Sequence, residues 1–258
     1  MTSSTLDYRC DDGIATIRLT QPETLNALSA EMRRDLQRAL MAASDEARAL
    51  VLTGTGRGFC AGQDLGDLGN PSNVNLERLL ADEYHPVIRA LADAPIPTIC
   101  AVNGIAAGAG ANLALSADLV IAARSATFLE AFARIGLMPD AGGTYWLPRL
   151  VGPARAMGMC LLADPIPAEM AAEWGLIWEV VDDDLLDTRV TEIARKLADG
   201  PTVAYKNMKR ALRASFDNGF DKQLALEASL QSEAGRSRDF MEGVLAFKEK
   251  RKAEFEGR

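Results

Sequence analysis

The stretch Ile96–Ser116 reads IPTICAVNGIAAGAGANLALS. Its first half is a nearly unbroken apolar run bounded by prolines and a glycine, the pattern of a strand covered on both faces. Its second half is a helix entered through glycines. A buried strand that passes through glycines into a helix is the working unit of a parallel α/β sheet. The same grammar extends to both sides. Ile14–Leu19 alternates with a period of two, and Arg48–Gly54 and Asp118–Ala123 are short apolar strands. Ser29–Ala43 predicts a helix, with Ser29 suited to the N-cap, Glu31 to the first turn, and Met32, Leu36, Ala39, Leu40 and Ala43 on one face. Leu76–Asp93 is also helical in pattern.

From Pro153 onward the patterns are mainly helical, with one strand-like run at Ile177–Asp182. Leu185–Leu197, Val203–Ser215 and the region Phe220–Arg251 read as amphipathic helix. An α/β core over residues 1–200 and a helical region over 201–258 follow from this change. No internal repeat or low-complexity linker interrupts the chain. Gly69–Asn75, GNPSNVN, is the candidate for a mobile loop beside a site.

Bulk properties narrow the function. The 258 residues are 48% hydrophobic and 25% charged, the balance of a folded globular protein. A net charge of −8 argues against nonspecific binding to nucleic acid or anionic membrane, each of which needs a basic face. The N-terminus has no basic patch followed by an apolar run, and no apolar stretch of spanning length is free of Gly and polar residues. Cys10, Cys60, Cys100 and Cys160 are far apart and form no metal or redox motif. A cytoplasmic protein with reduced thiols and no metal is expected.

Two glycine-rich segments follow strands, Leu52–Leu65 and Val102–Leu115. Neither ends as a phosphate loop does, and the G-x-G-x-x-G begun at Gly108 fails at Leu113. They are either tight turns or places where backbone N–H groups can face a ligand. The lone histidine, His85, sits before a proline and suits packing or surface. The basic run Phe247–Phe255 is a solvated helix end or a phosphate contact. The remaining oddity is Asp140 in RIGLMPDAGGTYWLP (Arg134–Pro148), an acid among apolar residues. It is either the N-cap of a helix beginning at the glycines or a carboxylate kept from water for use as a base.

Four motifs, in order, carry a resemblance: GRGFCAGQDL (Gly56–Leu65), AVNGIAAGAGANLAL (Ala101–Leu115), GLMPDAGGT (Gly136–Thr144) and EGVLAFKEKRKAEF (Glu242–Phe255). Together they resemble the crotonase, or enoyl-CoA hydratase/isomerase, superfamily, from TLNALS (Thr24–Ser29) to the C-terminus. The resemblance implies an α/β spiral of ββα units with a C-terminal helical trimerisation region, assembled as a homotrimer or a dimer of trimers. It implies an acyl-CoA substrate and no separate cofactor, coenzyme A being part of the substrate. The N–H groups of Gln63 and Ala109 would hold the thioester oxyanion, with Ala61, Asp64 and Leu65 beside the substrate. Phe247 and Lys250 would approach the CoA nucleotide, from a neighbouring subunit.

The departures from the family matter as much. Hydratases carry glutamates where this chain has Asn112 and Phe132, so hydration is disfavoured and these two residues would line the pocket. Glu130 lies two residues before Phe132, which on a helix turns it about 200° away, so it is not assigned a role. Asp140 matches the aspartate that serves as base in the family's isomerases. FCAGQDL, VIAARSATF and EWGLIWEVVDD resemble in particular the isomerases acting on ring epoxides of aromatic acyl-CoA thioesters and on 3-enoyl thioesters. Straight-chain enoyl- or dienoyl-CoA isomerisation is the alternative, with hydration or a noncatalytic CoA-binding scaffold further behind.

Overall fold

A computed structural model describes residues 3–68 and 73–258, apart from the side chains of Leu65 and Leu68. The expected loop at Gly69–Asn75 therefore falls largely outside the described residues. In chain order the elements are β1 (Leu6–Asp11), β2 (Ile14–Leu19), α1 (Ala30–Glu46), β3 (Ala49–Gly54), β4 (Gly58–Cys60), α2 (Leu76–Leu79), α3 (His85–Ala92), β5 (Thr98–Val102), β6 (Ile105–Ala107) and α4 (Ala109–Leu115). There follow β7 (Leu119–Ala123), β8 (Thr127–Leu129), α5 (Gly143–Leu162), β9 (Ile166–Pro167), α6 (Ala168–Glu173), β10 (Glu179–Val181), α7 (Leu186–Ala198), α8 (Thr202–Ala214), α9 (Phe220–Ala234) and α10 (Arg238–Glu249).

The strands form two sheets, a six-stranded one in the order β1-β2-β3-β5-β7-β10 and a four-stranded one in the order β4-β6-β8-β9. The pattern of membership is the spiral. Each of β3, β5 and β7 lies in the large sheet, and the short strand that follows it lies in the small sheet. The chain thus climbs one strand in both sheets with every turn. β3, β5 and β7 pair in parallel, with Leu52 opposite Cys100 and Cys100 opposite Val120. β4, β6 and β8 also pair in parallel.

All residues of β3 and β5 are buried, which is why they read as unbroken apolar runs rather than alternating ones. α7 packs on β3, β5 and β7, and α1 on β1 and β2. Ser29 caps α1 as its position predicts, accepting from Met32 N–H at 3.2 Å. The region Phe220–Arg251 is two helices rather than one. Ser237 accepts from Phe240 N–H at 3.1 Å and starts α10 afresh after Gly235.

Candidate functional site

The two glycine-rich segments meet. Gly62 has φ +86°, and a Cβ there would stand 2.6 Å from Ala107 O and 3.2 Å from Ala109 N. Only glycine lets these two backbones come so close. The residue after it is Gln63. Leu28 N–H donates to Gly62 O at 2.7 Å and Leu28 pairs with Gln63 as an isolated parallel bridge. Ala109 opens α4 behind Gly108, whose φ of +52° and ψ of −127° suit glycine alone. The first N–H groups of a helix have no partner within it and carry the positive end of its dipole. Among the described residues, no acceptor outside α4 takes the Ala109 N–H, and none takes the Gln63 N–H. Two donors from different segments are therefore available at one place.

The expected neighbours fall nearby. Ala61 N–H donates to Leu25 O at 2.9 Å. Asp64 accepts from Gly66 N–H at 2.9 Å, so its carboxylate shapes the loop. Leu65 opens a short 3-10 turn; its side chain lies outside the described residues. Phe132 is buried, and its ring atom Cζ would be 3.7 Å from a Cβ on Gly108. It walls the start of α4.

Asn112, one turn into α4, is fully buried and ties the next piece to the first. Its Nδ2 donates to Asp140 O at 3.0 Å and to Glu130 Oε2 at 3.3 Å. The backbone of Asp140 is thereby tied to α4, the helix that Ala109 opens. Its side chain is not the cap of α5. That helix starts at Gly143 with Gly142 as N-cap and no side-chain cap bond. Asp140 Oδ1 is buried with no hydrogen-bond partner. Burial raises its carboxyl to about 6. Of the apolar residues before it, Leu137 and Met138 are not themselves buried, being 41% and 67% exposed. The immediate neighbours of Asp140, Pro139 and Ala141, are buried. Ala141 sits at φ +48°, an uncommon conformation for a residue with a Cβ.

Glu130 corrects the helical-phase argument. It lies before, not on, the 3-10 helix Ala131–Ile135, so the 200° rotation does not apply. Its residue is 1% exposed, and burial, with the nearby Asp140 charge as a lesser cause, raises its carboxyl to about 7. Glu130 Oε1 and Asn112 Oδ1 are also buried without partners. Neither acid has a cation among the causes of its shift. Tyr84, absent from the sequence reading, is the other residue at this place; its hydroxyl donates to Gln63 Oε1. An acid inside TFLEAF was the available sign for Glu130. No sign in the sequence marked Tyr84.

Phe247 is 86% exposed and Lys250 is also exposed, so neither is seated in the site of its own chain. The tail beyond α10 is fastened to Arg48 at the start of β3, where Arg48 Nη1 donates to Phe255 O at 2.9 Å. His85 is exposed. Among the described residues, no three His, Cys, Asp or Glu side chains gather as a metal site requires.

This geometry has relatives. The Enoyl-CoA hydratase/isomerase family model matches residues 9–258. The chain belongs to the enoyl-CoA hydratase/isomerase family, in the crotonase superfamily. It is 56% identical over 258 residues to a probable enoyl-CoA hydratase of Rhodobacter capsulatus, covering all of both chains. It is 48% identical to the 1,2-epoxyphenylacetyl-CoA isomerase of Escherichia coli, over 96% of this chain and 97% of that one. An enoyl-CoA hydratase structure from Bacillus anthracis superposes with a TM-score of 0.92 at 31% identity, over 99% of this chain and all of the other. The spiral is therefore the family's fold, and the two relatives point to different reactions within the family. No helix among the described residues is long and apolar enough to cross a membrane.

Proposed function

We propose that this family member is an acyl-CoA isomerase in which Asp140 moves the proton, and that its substrate is ring-1,2-epoxyphenylacetyl-CoA, converted to the oxepin isomer. A second activity, shifting 3-enoyl-CoA to 2-enoyl-CoA, uses the same parts. The observation that carries this reading is the Asp140 carboxyl itself, with a buried oxygen that no group among the described residues pairs, on a residue whose backbone carbonyl is held by Asn112 of α4, the helix that Ala109 opens. In the 3-enoyl reaction Asp140 takes a proton from the carbon beside the thioester carbonyl. The Gln63 and Ala109 N–H groups hold the enolate oxygen, and Asp140 returns the proton two carbons along. No atom is gained or lost and there is no net oxidation or reduction, so the chemistry calls for no redox cofactor. A carboxyl near 6 is ionised at neutral pH yet basic enough to accept the proton. The 48% identity to the epoxide isomerase supports the aromatic substrate.

Hydration is the second reading, favoured by the 56% identity to the probable enoyl-CoA hydratase and by the presence of Glu130. Adding water needs one group to activate the water and another to manage the second proton. Glu130 is 1% exposed behind Asn112, and Asn112 and Phe132 stand where the hydratase glutamates are expected. Isomerisation is the better fit. Assembly as a trimer or paired trimers, with Phe247 and Lys250 reaching the CoA of a neighbouring subunit, belongs to the same proposal, as does a cytoplasmic location.

The test is turnover of ring-1,2-epoxyphenylacetyl-CoA and of a 3-enoyl-CoA by wild type and Asp140→Asn, followed by mass and ultraviolet spectra. Isomer formation by wild type alone, with CoA affinity kept in the variant, is the expected result. A product 18 mass units heavier, the mass of water, would sink the isomerase reading.

A further inference from the structure

Tyr84 is placed by an irregular turn. Pro86 has no N–H, and its ring crowds the carbonyl four residues back. Just before it, Leu80–Tyr84 forms a π-helical turn, with His85 N–H reaching Leu80 O. Such turns are frequent at functional sites. Within it Tyr84 faces inward, 3% exposed, between the less buried Glu83 and the exposed His85.

Its hydroxyl closes a ring of contacts around Gln63. Tyr84 donates to Gln63 Oε1. Arg33, 4% exposed, donates from Nη1 to the Tyr84 hydroxyl at 3.3 Å and also to Leu28 O. Its guanidinium lies 4.8 Å from the Tyr84 ring centroid, and Glu83 balances its charge at 2.6 Å. Leu28 N–H in turn holds Gly62 O at 2.7 Å. One buried cation thus braces the Gly62–Gln63 segment twice, through Leu28 on the backbone and through Tyr84 on the side chain. Gln63 Nε2 completes the arrangement by donating to Asp64 O at 2.9 Å. Burying an arginine is costly unless its partners are well arranged, and here those partners converge on the segment that carries a candidate oxyanion donor.

We propose that Tyr84, held by Arg33, is a positioning residue that aims the Gln63 N–H by way of the Gln63 side chain. The inference rests on the reading of Gln63 N–H as an oxyanion donor. Donors fixed in place before reaction are worth far more than donors that must reorganise, and a misplacement of about 1 Å can cost about 100-fold in rate.

Tyr84→Phe keeps the ring and removes only the hydroxyl. Gln63→Ala keeps the backbone N–H and cuts the link. A double-mutant cycle of the two isolates their coupling. With a 3-enoyl-CoA as substrate, Tyr84→Phe should lower kcat about 10- to 100-fold with KM little changed. In the Gln63→Ala background the same change should have almost no further effect. Full multiplication of the two losses, or an unchanged kcat in Tyr84→Phe, overturns the proposal. Amide hydrogen exchange at residue 63 of the unliganded protein decides it without turnover. Corrected for intrinsic rates, exchange should quicken in either single variant and quicken no further in the double. Unchanged exchange in Tyr84→Phe rejects the positioning role. If wild type turns over no acyl-CoA, the functional reading falls on that result alone, while exchange still judges the contact.

Discussion

Asp118 and Asp140 are two half-buried acids beside the same short helix, α4, one just past its last turn and the other tied through its backbone to Asn112 within it, and they are treated in opposite ways. Asp118 is saturated. Thr98 N–H and Oγ1 donate to it at 2.9 and 3.0 Å, Lys209 Nζ lies at 2.6 Å and Arg213 Nη2 at 2.9 Å. Lys209 also donates to Ala94 O and Ile96 O, at 2.8 and 2.7 Å, so this cluster fastens α8 to the start of β5. Among the described residues Asp140 has no cation partner and keeps a buried oxygen unpaired, and it shares Asn112 with a second acid, Glu130, of which one oxygen is also unpaired. The first arrangement spends its charges on holding the fold together. The second holds carboxyls in a costly state, and strongly perturbed acids gathered in this way are a mark of functional sites.

The contrast breaks most sharply on activity. Asp140→Asn should lower turnover by about 100- to 10,000-fold, the usual worth of a general base, without loss of melting temperature. Its kcat/KM should fall in wild type by about tenfold per pH unit below the Asp140 value, because only the ionised carboxylate accepts a proton; that value is about 6. Asp118→Ala should do the reverse. It takes the shared carboxylate from Lys209 and Arg213, which are 12% and 24% exposed and are left with backbone carbonyls and the more distant Asp93, and should cost about 3 kcal/mol in urea unfolding while turnover per folded molecule is kept.

A smaller effect sharpens the comparison. Glu130 in the folded chain still holds its proton at pH values where the unfolded chain has released it, because its folded value is raised from 4.5 to about 7. The folded state then binds more protons than the unfolded state across that window. Its stabilising contribution is complete below the unfolded value and is lost as pH rises through the folded one. Glu130→Gln, which keeps an acceptor for Asn112, removes this dependence. The variant should gain about 2 kcal/mol over wild type between pH 5 and pH 8, measured by denaturant unfolding at both. Equal pH dependence in the two proteins would mean that Glu130 is not held protonated.

The elements that were legible in the sequence were those with a strong local cause. The apolar runs at Arg48–Gly54, Ile96–Gly104 and Asp118–Ala123 are strands of the large sheet, and Ser29 is a side-chain cap. The small sheet was not legible, because strands of two or three residues such as β4, β6 and β9 are too short to show a period. Asp140 could be singled out as an acid in an apolar run, although Leu137 and Met138 of that run are themselves exposed. The burial of Glu130 was not legible because a helical phase does not apply to a residue that precedes its helix.

By itself, then, the chain's order of residues determined the buried parallel strands, the helical C-terminal region and the glycine positions, because each of these is a local steric or periodic demand. It also carried the family motifs. Only the tertiary structure decided which glycine-rich segments touch. Gly62 and Ala109 are 47 residues apart and meet because the spiral stacks β4 beside β6. The same stacking and the pairing around α4 decide that Asn112 links Glu130 to Asp140. Tyr84 reaches Gln63 through a widened turn and a buried arginine 51 residues away in sequence. Burial and charge act through space, and a carboxyl's desolvation is set by whatever the fold brings against it rather than by its neighbours in the chain.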